Sequence, residues 1–127
     1  MAFKRKLWDE LQKWSDRKDR KPLIVRGARQ VGKTTLIKEF GKQFKHHIYL
    51  NLEKSEDLKF FDETYPIRKI VEGIFFSKNI LLDLNSALLF IDEIQQSQVA
   101  LKQLRYFYEE YPGLRVIAAG SLLETAI

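Results

Sequence analysis

A chain of 127 residues accommodates one domain with a modest core, and with 45% hydrophobic and 31% charged residues it is too apolar for a disordered segment. It has no cysteine, which excludes a disulfide framework or thiolate metal site and suits a reducing, cytoplasmic setting. The net charge of +5 favours anionic ligands, and the longest apolar run, Ala87 to Ile91, is far short of the roughly 20 residues that span a bilayer, so no membrane role is expected.

In chain order, the basic start Met1 to Lys6 runs into Trp8, Asp9 and Glu10 rather than the apolar stretch of an export signal. Phe3, Leu7, Leu11 and Trp14 recur at helical spacing and predict an amphipathic helix over about 3–17, with Trp8 and Trp14 as core or interface anchors. The basic clusters Lys4–Lys6 and Arg17–Lys21 suggest a nucleic-acid footprint, but acidic residues interleave and aromatics do not, which favours solvated helix ends. Pro22 opens a buried strand at Leu23-Ile24-Val25, and a helix beginning near Gly32 or Lys33 turns Leu36, Ile37 and Phe40 inward and ends near Gly41.

His46-His47 reads as an exposed loop before a second strand at about Ile48–Leu52, and a polar acidic stretch continues through Glu63. Ile67, Ile70, Val71, Ile74 and Phe75 mark another helix, whereas 78–85 has no clear pattern. Ser86–Ile91 reads as a third strand. A helix follows over Ser97 to about Tyr111, ended by Pro112-Gly113, and Leu114–Ala119 is the fourth strand. Strands alternating with helices predict an α/β fold whose parallel sheet is covered on both faces.

Gly27-Ala28-Arg29-Gln30-Val31-Gly32-Lys33-Thr34 fits the phosphate-loop pattern G-x-x-x-x-G-K-[ST], between a predicted strand and a predicted helix. Gly27 and Gly32 permit backbone conformations that turn successive N–H groups toward one anion, and the helix N-terminus adds its dipole. Lys33 supplies a flexible cation to the β and γ phosphates, the Thr34 hydroxyl suits Mg²⁺, and Thr35 reaches toward the α-phosphate. Arg26 and Arg29 flank the phosphates, and neither is assigned as an arginine finger.

The apolar segment Ala87–Ile91 ends in Asp92-Glu93, where a parallel sheet presents its ligand crevice. In that place Asp92 holds Mg²⁺ through water and Glu93 acts as the base for the attacking water. Ser121, after Ala118-Ala119-Gly120, has two open readings: a γ-phosphate or water-positioning side chain, or a helix N-cap whose capping box is completed by Glu124. His46-His47 has no ligand partners nearby to make a metal site. The absence of an Asn-Lys-x-Asp segment favours ATP over GTP.

Arg26-Gly27-Ala28-Arg29-Gln30-Val31-Gly32-Lys33-Thr34-Thr35, Leu89-Phe90-Ile91-Asp92-Glu93-Ile94-Gln95 and Ile117-Ala118-Ala119-Gly120-Ser121-Leu122-Leu123-Glu124 together resemble the N-terminal AAA-type domain of prokaryotic P-loop ATPases. The resemblance implies a three-layer α/β/α P-loop NTPase fold, with strand order 1-4-3-2 and ATP and Mg²⁺ as cofactors. It also implies that hydrolysis drives conformational change in attached or partner domains. Such domains continue into a fifth strand and further domains, so residues 1–127 are expected to be one ATPase domain of a longer protein, with its C-terminal part or self-association along the first strand as partner. The alternatives are a nucleotide-dependent switch with little hydrolysis and a nucleic-acid-associated module.

Overall fold

A computed structural model describes residues 2–26 and 32–120. Helix α1 (Ala2–Ser15) leads into strand β1 (Leu23–Val25), α2 (Lys33–Gly41), β2 (His46–Asn51), the single turn α3 (Ser55–Leu58) and α4 (Ile67–Ser77). A 3₁₀ turn at Leu84–Ser86 precedes β3 (Ala87–Asp92), and a second at Ile94–Gln96 precedes α5 (Gln98–Glu110) and β4 (Arg115–Ala119). The four strands form one parallel sheet in the order β1-β4-β3-β2, as the resemblance implies.

Side-chain alternation divides the core between the two faces of this sheet. Leu88 and Phe90 of β3 and Ile117 and Ala119 of β4 meet Leu7, Leu11 and Trp14 of α1 and Ile37 and Phe40 of α2. Leu89, Ile91, Val116 and Ala118 point the other way, to Ile70, Val71, Ile74 and Phe75 of α4 and Leu104 and Phe107 of α5. β3 lies between two strands and beneath helices on both sides, so all its residues are buried. That is why its sequence is a continuous apolar run rather than an alternating one.

The ends of the helices follow from local chemistry. Ser97 caps α5, its Oγ accepting the Ala100 N–H at 2.9 Å. At the end of α4 the Asn79 N–H bonds to Phe76 O (3.0 Å) and the Ile80 N–H to Phe75 O (3.1 Å), with Asn79 at φ 56°. This paired closure turns the chain through a left-handed residue, a conformation asparagine tolerates. It accounts for the start of 78–85, which carries no periodicity to read.

Three expectations are corrected. His46 and His47 are not in a loop: they are the first residues of β2, paired in register with Ala87 and Leu88. The acidic stretch contains α3, whose buried Asp57 accepts the Asn51 N–H at 2.9 Å. That bond ties the turn to β2 and depends on a tertiary contact. β3 runs one residue later than expected and includes Asp92, because Asn51 extends its pairing with β2 to that position.

Candidate functional site

The strand ends and the start of α2 meet on one side of the sheet. Gly32 occupies the N-cap position of α2 at φ 91°, a left-handed value that glycine takes without strain. A Cβ there would also sit 3.3 Å from Lys4 Cε of α1. Lys33, the first residue of α2, is 7% exposed, and its Nζ has no hydrogen-bond partner among the described residues. Burying an ammonium at a helix N-terminus is costly unless an anion accompanies it.

One residue on, the Thr34 hydroxyl donates to Asp92 Oδ2 at 3.0 Å, joining the phosphate-loop helix to the end of β3. Asp92 is 5% exposed. Its Oδ2 also accepts the Tyr49 hydroxyl at 2.9 Å, and its Oδ1 accepts the Glu93 N–H at 2.9 Å. Burial, and then the bond to Asp92, push the Tyr49 phenol well above its ordinary value, so Tyr49 is a neutral donor near neutral pH.

Glu93 stands at φ 54°, ψ 45°, a left-handed conformation uncommon for a residue with a long side chain. It opens the 3₁₀ turn through the Gln96 N–H to Glu93 O bond of 3.0 Å. Its Oε1 accepts the Gln95 Nε2 at 2.9 Å, while Gln95 Oε1 is buried with no hydrogen-bond partner among the described residues. Backbone held in a sparsely populated region is a feature that concentrates at functional sites.

The structure thus brings Lys33, Thr34, Asp92 and Glu93 to the two elements expected to carry them, and links Thr34 to Asp92 directly. Thr35 is exposed on the first turn of α2. Gly27, Ala28, Arg29, Gln30, Val31 and Ser121 lie outside the described residues. The sequence reading missed Tyr49 and Gln95. Gln95 lies two residues from Glu93, a visible signal, whereas Tyr49 reaches Asp92 only through the register that sets Tyr49 opposite Phe90 and Asn51 opposite Asp92.

A parallel 1-4-3-2 sheet with a glycine-capped helix beginning beside the carboxylate end of β3 is a P-loop NTPase-like fold. A family model described as an AAA domain matches residues 19–126, and the chain belongs to that family. No curated protein matches the sequence.

The residues present fit a nucleotide and Mg²⁺. The Lys33 ammonium, without a hydrogen-bond partner among the described residues, suits an anion, and the hydroxyl and carboxylate of Thr34 and Asp92 are oxygen donors of the kind Mg²⁺ takes. Among the described residues no group of three or more histidines or carboxylates could hold a metal by itself. Two protein oxygens supplemented by substrate phosphates and water match the usual Mg²⁺ arrangement.

Proposed function

We propose that the chain binds ATP with Mg²⁺ and hydrolyses its β–γ phosphoanhydride, using the released energy to change the conformation of attached or partner domains. The observation that carries this reading is the buried Lys33 ammonium at the start of α2, without a hydrogen-bond partner among the described residues and one residue from the Thr34 to Asp92 bond. The sequence Gly27–Thr35 fits the phosphate-loop pattern, in which backbone N–H groups take the phosphates, and Lys33 adds its charge at the β and γ positions. Mg²⁺, when bound, offsets the negative charge that develops on the transferred phosphoryl group.

Thr34 and Asp92 are the residues that would hold the ion, Asp92 through water. Glu93 takes a proton from the attacking water as its oxygen bonds to the γ-phosphorus and the bond to the bridging oxygen breaks, giving ADP and phosphate. Gln95 helps to orient the Glu93 carboxylate by donating to its Oε1. A groove of about 250 Å³ whose lining includes Phe3, Leu7, Leu23, Val25, Arg26 and Lys33 adjoins the proposed phosphate-binding lysine and supports placing the nucleoside there.

The partner reading has its own support. Among the described residues β1 pairs only with β4, and Ile24 on β1 is 36% exposed, which suits a further strand from an attached segment or a second copy. Calorimetric titration of ATP, with and without Mg²⁺, into the wild-type chain and Lys33→Ala tests the central proposal. Binding that requires Lys33 and strengthens with Mg²⁺ is expected, and a folded wild-type chain that binds no ATP would overturn it.

A further inference from the structure

Among the described residues, the donors to Asp92 are all neutral. Oδ2 takes two of them, the Thr34 and Tyr49 hydroxyls at 3.0 and 2.9 Å, and a carboxylate oxygen has only two lone-pair sites to offer. Oδ1 takes the N–H of Glu93, the next residue in the chain. Tyr49 is the one member of this set outside the phosphate loop and the Asp92-Glu93 segment, and it comes from a different strand.

Its ring has two close neighbours. Lys38 Nζ of α2 lies 3.9 Å from the ring centroid, and the Phe90 ring of β3 lies 5.2 Å away at 59°. Lys38 is one helical turn beyond Thr34, so the helix that donates to Asp92 also sets the ring of the second donor. A tyrosine that needed only some acceptor for its hydroxyl would not require this double constraint, nor would it have to share an oxygen with the phosphate-loop threonine.

We propose that Tyr49 is a positioning residue for the divalent cation of the bound nucleotide: by filling the second lone pair of Asp92 Oδ2, the oxygen that already accepts from Thr34, it closes that oxygen to direct ligation and favours contact with the ion through one of the ion's waters. The proposal rests on the ATPase reading and deepens it. Mg²⁺ gives up its waters reluctantly, whereas larger divalent ions such as Mn²⁺ accept direct carboxylate ligands more readily. Tyr49 therefore biases the site toward Mg²⁺. Partners that orient metal-binding groups in this way typically matter by 10- to 100-fold in metal affinity.

Tyr49→Phe removes the hydroxyl and keeps the ring beside Lys38 and Phe90. Binding of a fluorescent ATP analogue is followed while Mg²⁺ or Mn²⁺ is titrated, and again in chelator. The expected result is unchanged binding without metal, a rise of about ten-fold in the half-saturating Mg²⁺ concentration, and a much smaller rise for Mn²⁺. Asp92→Asn alone should weaken Mg²⁺ dependence, and adding Tyr49→Phe to it should change nothing more, because Tyr49 acts through Asp92.

Wild-type Mg²⁺ dependence in Tyr49→Phe would show a structural hydrogen bond only and overturn the assignment. Equal losses with and without metal, or effects that add fully to those of Asp92→Asn, overturn it too. Wild-type nucleotide binding that is insensitive to metal would instead overturn the Mg²⁺-dependent reading beneath it, a result visible before any variant is compared.

Discussion

Lys33 and Asp92 are both buried at the end of one sheet, yet among the described residues only the carboxylate has hydrogen-bond partners. The ammonium is a local cost to the nucleotide-free chain, of the kind tolerated where a ligand supplies the missing partner. Lys33→Met should therefore raise the melting temperature of the nucleotide-free chain while abolishing triphosphate binding, both measurable on one preparation by thermal unfolding and calorimetry. Glu93→Gln is expected to keep ATP affinity within a few fold and to lower turnover by about 10²- to 10⁴-fold, the usual range for removal of a general base. Equal loss of binding in Lys33→Ala and Glu93→Gln would contradict this division of roles.

At the scale of elements, one arginine ties the end of α1, already packed on the sheet, to β4. Arg115, at the start of β4, donates from Nε to the Ser15 hydroxyl (2.9 Å) and carbonyl (3.2 Å), from Nη2 to the same carbonyl (3.0 Å), and from Nη1 to Asn85 O (3.2 Å). A cation at the last carbonyls of a helix also suits its dipole. Burial, and then nearby Arg20, pull the Arg115 guanidinium below its ordinary value, and it is still a cation. Trp14 Nε1 donates to Lys21 O at 2.7 Å and fastens the connection from α1 to β1. Arg115→Ala should destabilise the fold by about 3 kcal/mol, seen as a lower urea midpoint with an unchanged slope.

At the scale of the molecule, the proposed nucleotide site joins both halves of the architecture, since α2 belongs to one face and the 3₁₀ turn after Glu93 leads to α5 on the other. Ligand binding should thus stabilise the chain as a unit. With MgATP at a hundred times its Kd, unfolding free energy should rise by about 2.7 kcal/mol and the melting temperature by several degrees, in one cooperative transition followed by calorimetry. A rise confined to one phase of a split transition would place the site in only one part of the core. No helix among the described residues is long and apolar enough to cross a membrane.

The sequence by itself determined the α/β class, the core stripes of α1, α4 and α5, and the positions of Lys33, Thr34, Asp92 and Glu93, because periodicity and a phosphate-loop pattern are local properties of the chain. The strand order came into view through family resemblance, since nothing in periodicity ranks β4 between β1 and β3. Tertiary structure alone decided that Tyr49 donates to Asp92, that Asp57 ties α3 to β2, and that Arg115 holds the end of α1. Each of these bonds crosses between elements, and its partners are named only once the register of neighbouring strands is set. The same reason extends β2 back to His46: an edge strand's length is fixed by what its neighbour offers for pairing, and two polar histidines carry no pattern that announces it.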